Sequence, residues 1–193
     1  MLSVVIATKD SERALVATLT ALVPGAADGL IREVIIADAG SVDKTLELAD
    51  GAGCRVLTLD RPTGSRLKAA AAAARGPWLM FLRPGIVPDA IWIAEVGRFI
   101  EREPVREAGW RAAVFRASLD PDSSRPVLAE ALALLRSALG MLRPTQGLII
   151  AKHFYDELGG HDAAAADCEA DFLRRLGRRR ITLLRCGAIN MSE

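Results

Sequence analysis

An apolar run of strand length, Leu2-Ser3-Val4-Val5-Ile6-Ala7, turns polar at Thr8-Lys9-Asp10 and opens a helical pattern at Ser11-Glu12. The helical pattern runs through Leu22 and is predicted to end at Pro24-Gly25, since proline and glycine commonly follow a helix. One strand followed by one helix is the βα unit from which parallel sheets are built.

The same unit recurs along the first half of the chain. Further apolar strands are predicted over 33–37, 55–59 and 78–82, and an alanine-rich helix over 66–75. Strands that are apolar on both faces and alternate with helices are typical of a parallel sheet covered on both sides. The sequence therefore predicts an α/β fold: a single domain with a mostly parallel, Rossmann-like sheet and helices on both faces.

After residue 104 the alternation becomes less regular. The predicted elements are a helix from Asp89 to about Glu103, a strand over 113–115, a leucine-rich helix over 126–142, a strand over 147–150, and helices over 152–158 and 167–179. We therefore divide the predicted domain into two parts, residues 1–104 and residues 105–193.

Composition excludes several classes of protein. Of the 193 residues 51% are hydrophobic, which excludes intrinsic disorder. Basic and acidic residues number 25 and 24, so a net charge of +1 provides no field for nucleic acid, and we expect no such partner. Three cysteines without CxxC spacing argue against a zinc site or a disulfide scaffold. No apolar run has signal-peptide or membrane-spanning length, which predicts a cytoplasmic protein.

The turns that follow the strands carry the chemistry, because open α/β sheets bind ligands at the carboxyl ends of their strands. The first turn, residues 8–12, contains no glycine, so neither a dinucleotide-binding fingerprint nor a P-loop is present. Instead it supplies a hydroxyl, an ammonium group and carboxylates. The second turn supplies Asp38, followed by Gly40-Ser41.

These two segments, residues 3–12 and 33–45, resemble the opening motifs of family 2 glycosyltransferases with the GT-A fold. Gly64-Ser65-Arg66 resembles the third signature of that family, and the segments around Gly159-Gly160 and 168–176 resemble its acceptor half. The resemblance extends over most of the chain and is strongest with a compact bacterial subgroup. It implies that residues 1–104 form a nucleotide-binding half and residues 105–193 an acceptor-side half.

The resemblance also implies roles for individual residues. Thr8 and Asp10 would cradle the base of a nucleotide-diphosphate sugar, Asp38 would meet the base or the ribose, and Arg66 would lie near the base or the diphosphate. The implied reaction transfers the sugar, with inversion, to a hydroxyl acceptor.

The sequence departs from the family where an acidic DxD-type motif usually holds a divalent metal. That place reads Phe81-Leu82-Arg83-Pro84-Gly85, and arginine offers no oxygen ligand. We therefore expect no metal and no other cofactor. Two explanations stay open: Arg83 neutralises the leaving diphosphate in place of the metal, or the site has decayed.

The candidate general base lies in the acceptor half. Alignment on Arg175-Leu176 places the acidic pair of the family on Cys168 and Glu169, so the resemblance assigns the base to Glu169, with Asp171 next in line. The alternative for both carboxylates is that they merely complement a helix dipole. The leading hypothesis is thus a metal-independent glycosyltransferase. The rival is a non-catalytic module of the same fold that binds a nucleotide sugar or a partner.

The helix predicted over 126–142 is apolar on most sides and requires cover on most sides. We expect either a homodimer through this helix or peripheral contact with a membrane that carries a lipid-linked acceptor. The flanking arginines are too sparse for a typical interfacial helix, which favours the dimer.

Overall fold

A computed structural model describes residues 1–103, 110–117 and 147–191. The strands are β1 (Leu2–Thr8), β2 (Ile31–Asp38), β3 (Arg55–Thr58), β4 (Trp78–Leu82), β5 (Ile86–Pro88), β6 (Ala112–Ala117), β7 (Leu148–Ala151) and β8 (Ile181–Asn190). The helices are α1 (Glu12–Ala27), α2 (Thr45–Gly51), α3 (Thr63–Ala73), α4 (Trp92–Arg102), α5 (Lys152–Glu157) and α6 (Cys168–Leu176), and a 3-10 turn covers Arg178–Arg180.

All of these strands belong to one sheet, in the order β3-β2-β1-β4-β7-β6-β8-β5. β3, β2, β1 and β4 run parallel, β7 is antiparallel to β4 and to β6, β8 is parallel to β6, and β5 is antiparallel to β8. The predicted class, a single α/β domain built on a mostly parallel Rossmann-like sheet, is confirmed. Strands from both 1–104 and 105–193 enter this sheet, and the division into two functional halves stays a prediction.

The register of the central strands aligns their carboxyl ends. Thr8 pairs with Asp38 across β1 and β2, and Ile6 pairs with Leu82 across β1 and β4. β4 is buried along its whole length, and β1 over all but one residue, because helices and neighbouring strands cover them. The polar residues that follow these strands therefore meet at one edge of the sheet.

Several predicted boundaries were wrong. Helix α1 continues through Pro24 to Ala27, since proline fits helical φ, and the turn after it contains Gly29 at φ 72°. Helix α4 begins at Trp92 rather than Asp89, and the last helix ends at Leu176 rather than 179. Two strands were not predicted: β5 is short, and Arg185 interrupts the apolar pattern of β8.

The helix predicted over 126–142 lies outside the described residues, as do the dimer and membrane contacts that depend on it. Within the described ranges, no helix is both long and apolar enough to cross a bilayer.

The packing of α1 against α4 depends on a glycine. A Cβ built on Gly25 would lie 2.4 Å from the Trp92 ring, which is buried and donates its indole N–H to the Ala21 carbonyl at 3.3 Å. The ring therefore has no simple way to retreat, and a larger residue would overpack this contact.

We expect Gly25→Ala to lower the free energy of unfolding by about 1–3 kcal/mol, the usual cost of overpacking a core. The control is Gly97→Ala in α4, where a Cβ meets nothing within 4 Å and alanine gains helix propensity. Urea unfolding of both variants tests this. Equal stability of the two variants would contradict the packing argument.

Candidate functional site

A cavity of about 640 Å³ lies between the carboxyl edge of the central strands and the beginning of α6. Its lining includes the end of β1 and the turn after it, part of α3, the end of β4 and the turn after it, the start of α6, and the end of β8. These residues are Ala7, Thr8, Lys9, Asp10, Ser11, Ala14, Thr63, Arg66, Leu67, Leu82, Arg83, Pro84, Ile86, Ala166, Asp167, Cys168, Glu169 and Asn190.

Asp38 joins the turns that follow β1 and β2. Its Oδ1 accepts the backbone N–H groups of Gly40 and Ser41, each at 2.7 Å, and its Oδ2 accepts the hydroxyls of Thr8 at 2.8 Å and Ser41 at 2.5 Å. Burial alone would raise the pKa of Asp38, but these hydrogen bonds outweigh burial and lower it. The carboxylate is thus ionised and fully occupied as an acceptor.

The same two turns are joined by further hydrogen bonds. Val42 N–H donates to the Asp10 carboxylate at 2.7 Å, and Asp10 N–H donates to the Ser41 hydroxyl at 2.8 Å. Asp10 has φ 46°, a conformation that few residues other than glycine, asparagine and aspartate adopt. Thr8 and Asp10 are therefore held rigidly at the rim of the cavity.

Arg66 reaches the same place from α3. Its buried guanidinium donates to the carbonyls of Thr8 at 2.8 Å and Ala37 at 2.5 Å, and also to Arg61 and Thr63. Four of its five N–H groups are thus satisfied within the protein. Arg66 lines the cavity, and its observed contacts hold the ends of β1 and β2.

Arg83 and Glu169 meet across the cavity. The Nε and Nη2 groups of Arg83 both bond to one carboxylate oxygen of Glu169, and Nη2 lies 3.9 Å from Asp167. The Arg83 side chain is 43% exposed, whereas that of Glu169 is only 14% exposed. Burial raises the pKa of Glu169, and Arg83 offsets only part of that rise.

The side chains beside Arg83 do not form a suitable set of ligands for a divalent metal. Such an ion requires several oxygen ligands, yet Arg83 places a positive charge after β4 and engages Glu169 itself. Over residues 1–103, 110–117 and 147–191, no cluster of three or more histidine, cysteine or acidic side chains could hold a metal.

The predicted site residues do not all come together. Thr8, Asp10, Arg66, Arg83 and Glu169 line the cavity, whereas Asp38 lies buried behind Thr8. Asp171 lies outside the lining, where it pairs with Arg174 and, at 2.8 Å, with Arg175.

Four further residues line the cavity and had no role predicted from the sequence: Lys9, Ser11, Asp167 and Asn190. Lys9 and Ser11 belong to the first polar turn and could have been added from their position alone. Asp167 caps α6 by accepting the Ala170 N–H at 3.0 Å. Asn190 could not be predicted as a site residue, because it is the last residue of β8, a strand that was not predicted.

The cavity wall on the α6 side rests on tight packing. A Cβ on Gly64 of α3 would lie 2.2 Å from the Asp162 carbonyl oxygen and 3.1 Å from Cys168 Cβ. Only glycine allows α3 to approach the segment before α6 so closely. This contact holds α3, which carries Arg66, against the start of α6, which carries Glu169.

Behind this wall, the His161 side chain bonds to the Tyr155 hydroxyl at 2.8 Å and packs against Phe81 and Phe172. Burial, with a smaller contribution from Arg175, lowers the pKa of His161 to about 4. His161 is therefore a neutral core residue.

Comparison with protein families identifies the fold and motifs. The model of glycosyl transferase family 2 matches residues 3–119. The chain belongs to glycosyl transferase family 2. The resemblance of the first two turns and of Gly64-Ser65-Arg66 to this family is confirmed. A comparison with curated proteins finds no match.

Solved structures share the fold of this family 2 chain. Glucosyl-3-phosphoglycerate synthase from Mycobacterium tuberculosis, in complex with Mn²⁺, UDP-glucose and phosphoglyceric acid, matches with a TM-score of 0.67 and 23% identity over 99% of this chain and 70% of that one. A mycobacterial protein matches with a TM-score of 0.71 and 23% identity, over 100% of this chain and 67% of that one. TarS from S. aureus, in complex with UDP, matches with a TM-score of 0.68 and 15% identity, over 100% of this chain and 58% of that one.

The buried His161 predicts a pH-dependent stability. The unfolded chain binds a proton near the ordinary histidine pKa of 6.5, whereas the folded state does so only near 4, so stability falls as pH drops through this range. We expect this residue to account for a loss of about 3 kcal/mol. Denaturant unfolding at several pH values should show a flatter profile for His161→Gln than for the wild type. The matched control is His153→Gln, which makes the same chemical change at an exposed position. Parallel profiles for all three proteins would contradict the assignment.

Proposed function

We propose that this family 2 protein transfers a sugar, with inversion, from a nucleoside-diphosphate sugar to a hydroxyl acceptor without a divalent metal. The observation that carries the proposal is the convergence of Arg83 and Glu169 in one cavity at the carboxyl edge of the sheet. Arg83 is the cation for a leaving diphosphate, and Glu169 is the carboxylate that a hydroxyl nucleophile requires.

The chemistry is a single displacement. Glu169 takes the proton of the acceptor hydroxyl, and the oxygen attacks the anomeric carbon of the donor. The bond from that carbon to the diphosphate oxygen breaks, and the bonding electrons leave with the diphosphate. Arg83 stabilises the charge that develops there, because a guanidinium offers paired donors to phosphate oxygens. One attack from the face opposite the leaving group inverts the anomeric centre.

The donor end of the cavity supports a nucleotide. Thr8, Lys9, Asp10 and Ser11 present a hydroxyl, an ammonium group, a carboxylate and a second hydroxyl on a turn that Asp38 braces. Solved structures of the same fold hold UDP or UDP-glucose. We therefore propose that this turn receives the nucleoside and that the diphosphate points toward Arg83.

The rival function is a non-catalytic module that binds a nucleotide sugar or a partner. One observation favours it: Glu169 already pairs with Arg83, so neither group is free in this state of the protein. Calorimetric titration with UDP, GDP and their sugars, followed by a search for transfer to hydroxyl acceptors, separates the two functions. Binding without turnover on any acceptor supports the module, and no binding at all overturns the nucleotide site.

Binding of the nucleotide sugar should not depend on metal, because Arg83 stands where the family usually places a metal-binding acidic motif. We expect the affinity for UDP-glucose or GDP-mannose to be the same in EDTA and in Mn²⁺. Titration under both conditions measures this. A gain of tenfold or more with Mn²⁺, equivalent to about 1.4 kcal/mol, would show that carboxylates have assembled a metal site.

Glu169→Gln should remove most turnover without weakening donor binding, because a general base acts on the acceptor and mainly in the transition state. We expect the turnover number to fall by about 10²-fold or more. The matched control is Glu157→Gln, which makes the same chemical change at an exposed position of α5. Full activity of Glu169→Gln would move the base elsewhere, and Asp171→Asn is then the next variant to measure.

A further inference from the structure

The pairing of Arg83 with Glu169 works against both of their proposed roles. The donors on Nε and Nη2 of Arg83 are both directed at one Glu169 oxygen. A phosphate group bound in the usual bidentate manner would need two such donors as well. A base that already accepts two charge-assisted hydrogen bonds holds its lone pairs less available to a hydroxyl proton.

We propose that the diphosphate of the sugar nucleotide displaces Glu169 as the partner of Arg83, so that donor binding itself frees the general base. This inference rests on the proposed function, and it adds an order of events. The donor binds first, Arg83 transfers from carboxylate to diphosphate, and Glu169 then becomes competent to receive a proton.

The geometry permits this exchange. Arg83 is the more exposed partner, at 43%, and it follows β4 on a turn, whereas Glu169 is held at 14% exposure by α6. The guanidinium is therefore the group that moves. A diphosphate diester carries two negative charges against one on the carboxylate, so the exchange replaces one ion pair by a stronger one.

The charges around Glu169 determine its protonation once Arg83 has moved away. The α6 side contributes Asp167 and Cys168, the turn after β1 contributes Lys9 and Asp10, and α3 contributes Arg66. Arg66 already donates to backbone carbonyls, and Lys9 lies within 3.4 Å of the Ala39 and Gly40 carbonyls. Without Arg83, Asp167 is the neighbouring charge that acts on Glu169, and it disfavours ionisation.

An unpaired carboxylate in this position binds a proton more readily. Burial already raises the pKa of Glu169, and Arg83 is the group that opposes the rise. Loss of that partner raises the pKa further, so donor binding is accompanied by proton uptake. A carboxylate with a raised pKa is also a stronger general base in the molecules in which it is ionised.

Proton uptake can be measured by titrating the protein with UDP-glucose, and then with GDP-mannose, in buffers of different ionisation enthalpy. These diesters have no ionisable group near neutral pH, unlike a terminal phosphate, whose second pKa is about 6. We expect proton uptake that increases as the pH falls from neutral, because the titrating groups near neutral pH belong to the protein and not to the donor. Glu157→Gln should behave like the wild type.

Two variants test whether Glu169 is the group that takes up the proton when the donor binds. Glu169→Gln should bind the donor at least as tightly as the wild type but without proton uptake, because the competing carboxylate is gone. Arg83→Gln should bind about tenfold or more weakly, again without uptake, since Glu169 is unpaired before the donor arrives.

Each outcome bears on one of the two proposals. Wild-type binding without proton uptake, or uptake that persists in Glu169→Gln, overturns the exchange and leaves the nucleotide site intact. Failure of both sugar nucleotides to bind overturns the proposed function, and the exchange with it.

Discussion

The side of the cavity formed by the turns after β1 and β2 depends on the carboxylate of Asp38. It accepts four hydrogen bonds from the turns after β1 and β2, and the Arg66 guanidinium beside it fastens the carbonyl ends of the same strands. Both groups are buried, and the charge of Asp38 opposes the effect of burial on the pKa of Arg66. Two irregular loops thereby become one rigid rim that holds Thr8 and Asp10 in place.

Most of the fold was predictable because the sequence patterns that indicate each strand and helix lie within that strand or helix. The strands at 33–37 and 78–82 and the alanine-rich helix after Arg66 follow from apolar periodicity, and the alternation of strands and helices implies a parallel sheet. Strand β8 was not predictable in this way. It acquires its place through pairing with β6 and β5, which lie far away in the sequence, and Arg185 interrupts its apolar pattern.

In the candidate site, too, some residues could be placed from local sequence patterns, whereas other contacts depend on how distant elements pack. Thr8, Asp10 and Arg83 follow predicted strands, so their convergence could be anticipated from the parallel sheet alone. The contact between Arg83 and Glu169 could not, because it depends on how α6 packs against the sheet. Asp38 illustrates the reverse case: its position was predictable, but only the structure shows that its oxygens already serve the neighbouring turn.

Gly64 has a consequence for how the cavity can change shape. Since α3 lies against the backbone at Asp162 with no room for a Cβ, the walls that carry Arg66 and Glu169 cannot move closer together at this point. An adjustment that narrows the cavity therefore falls to its more exposed side, where the side chain of Arg83 follows β4.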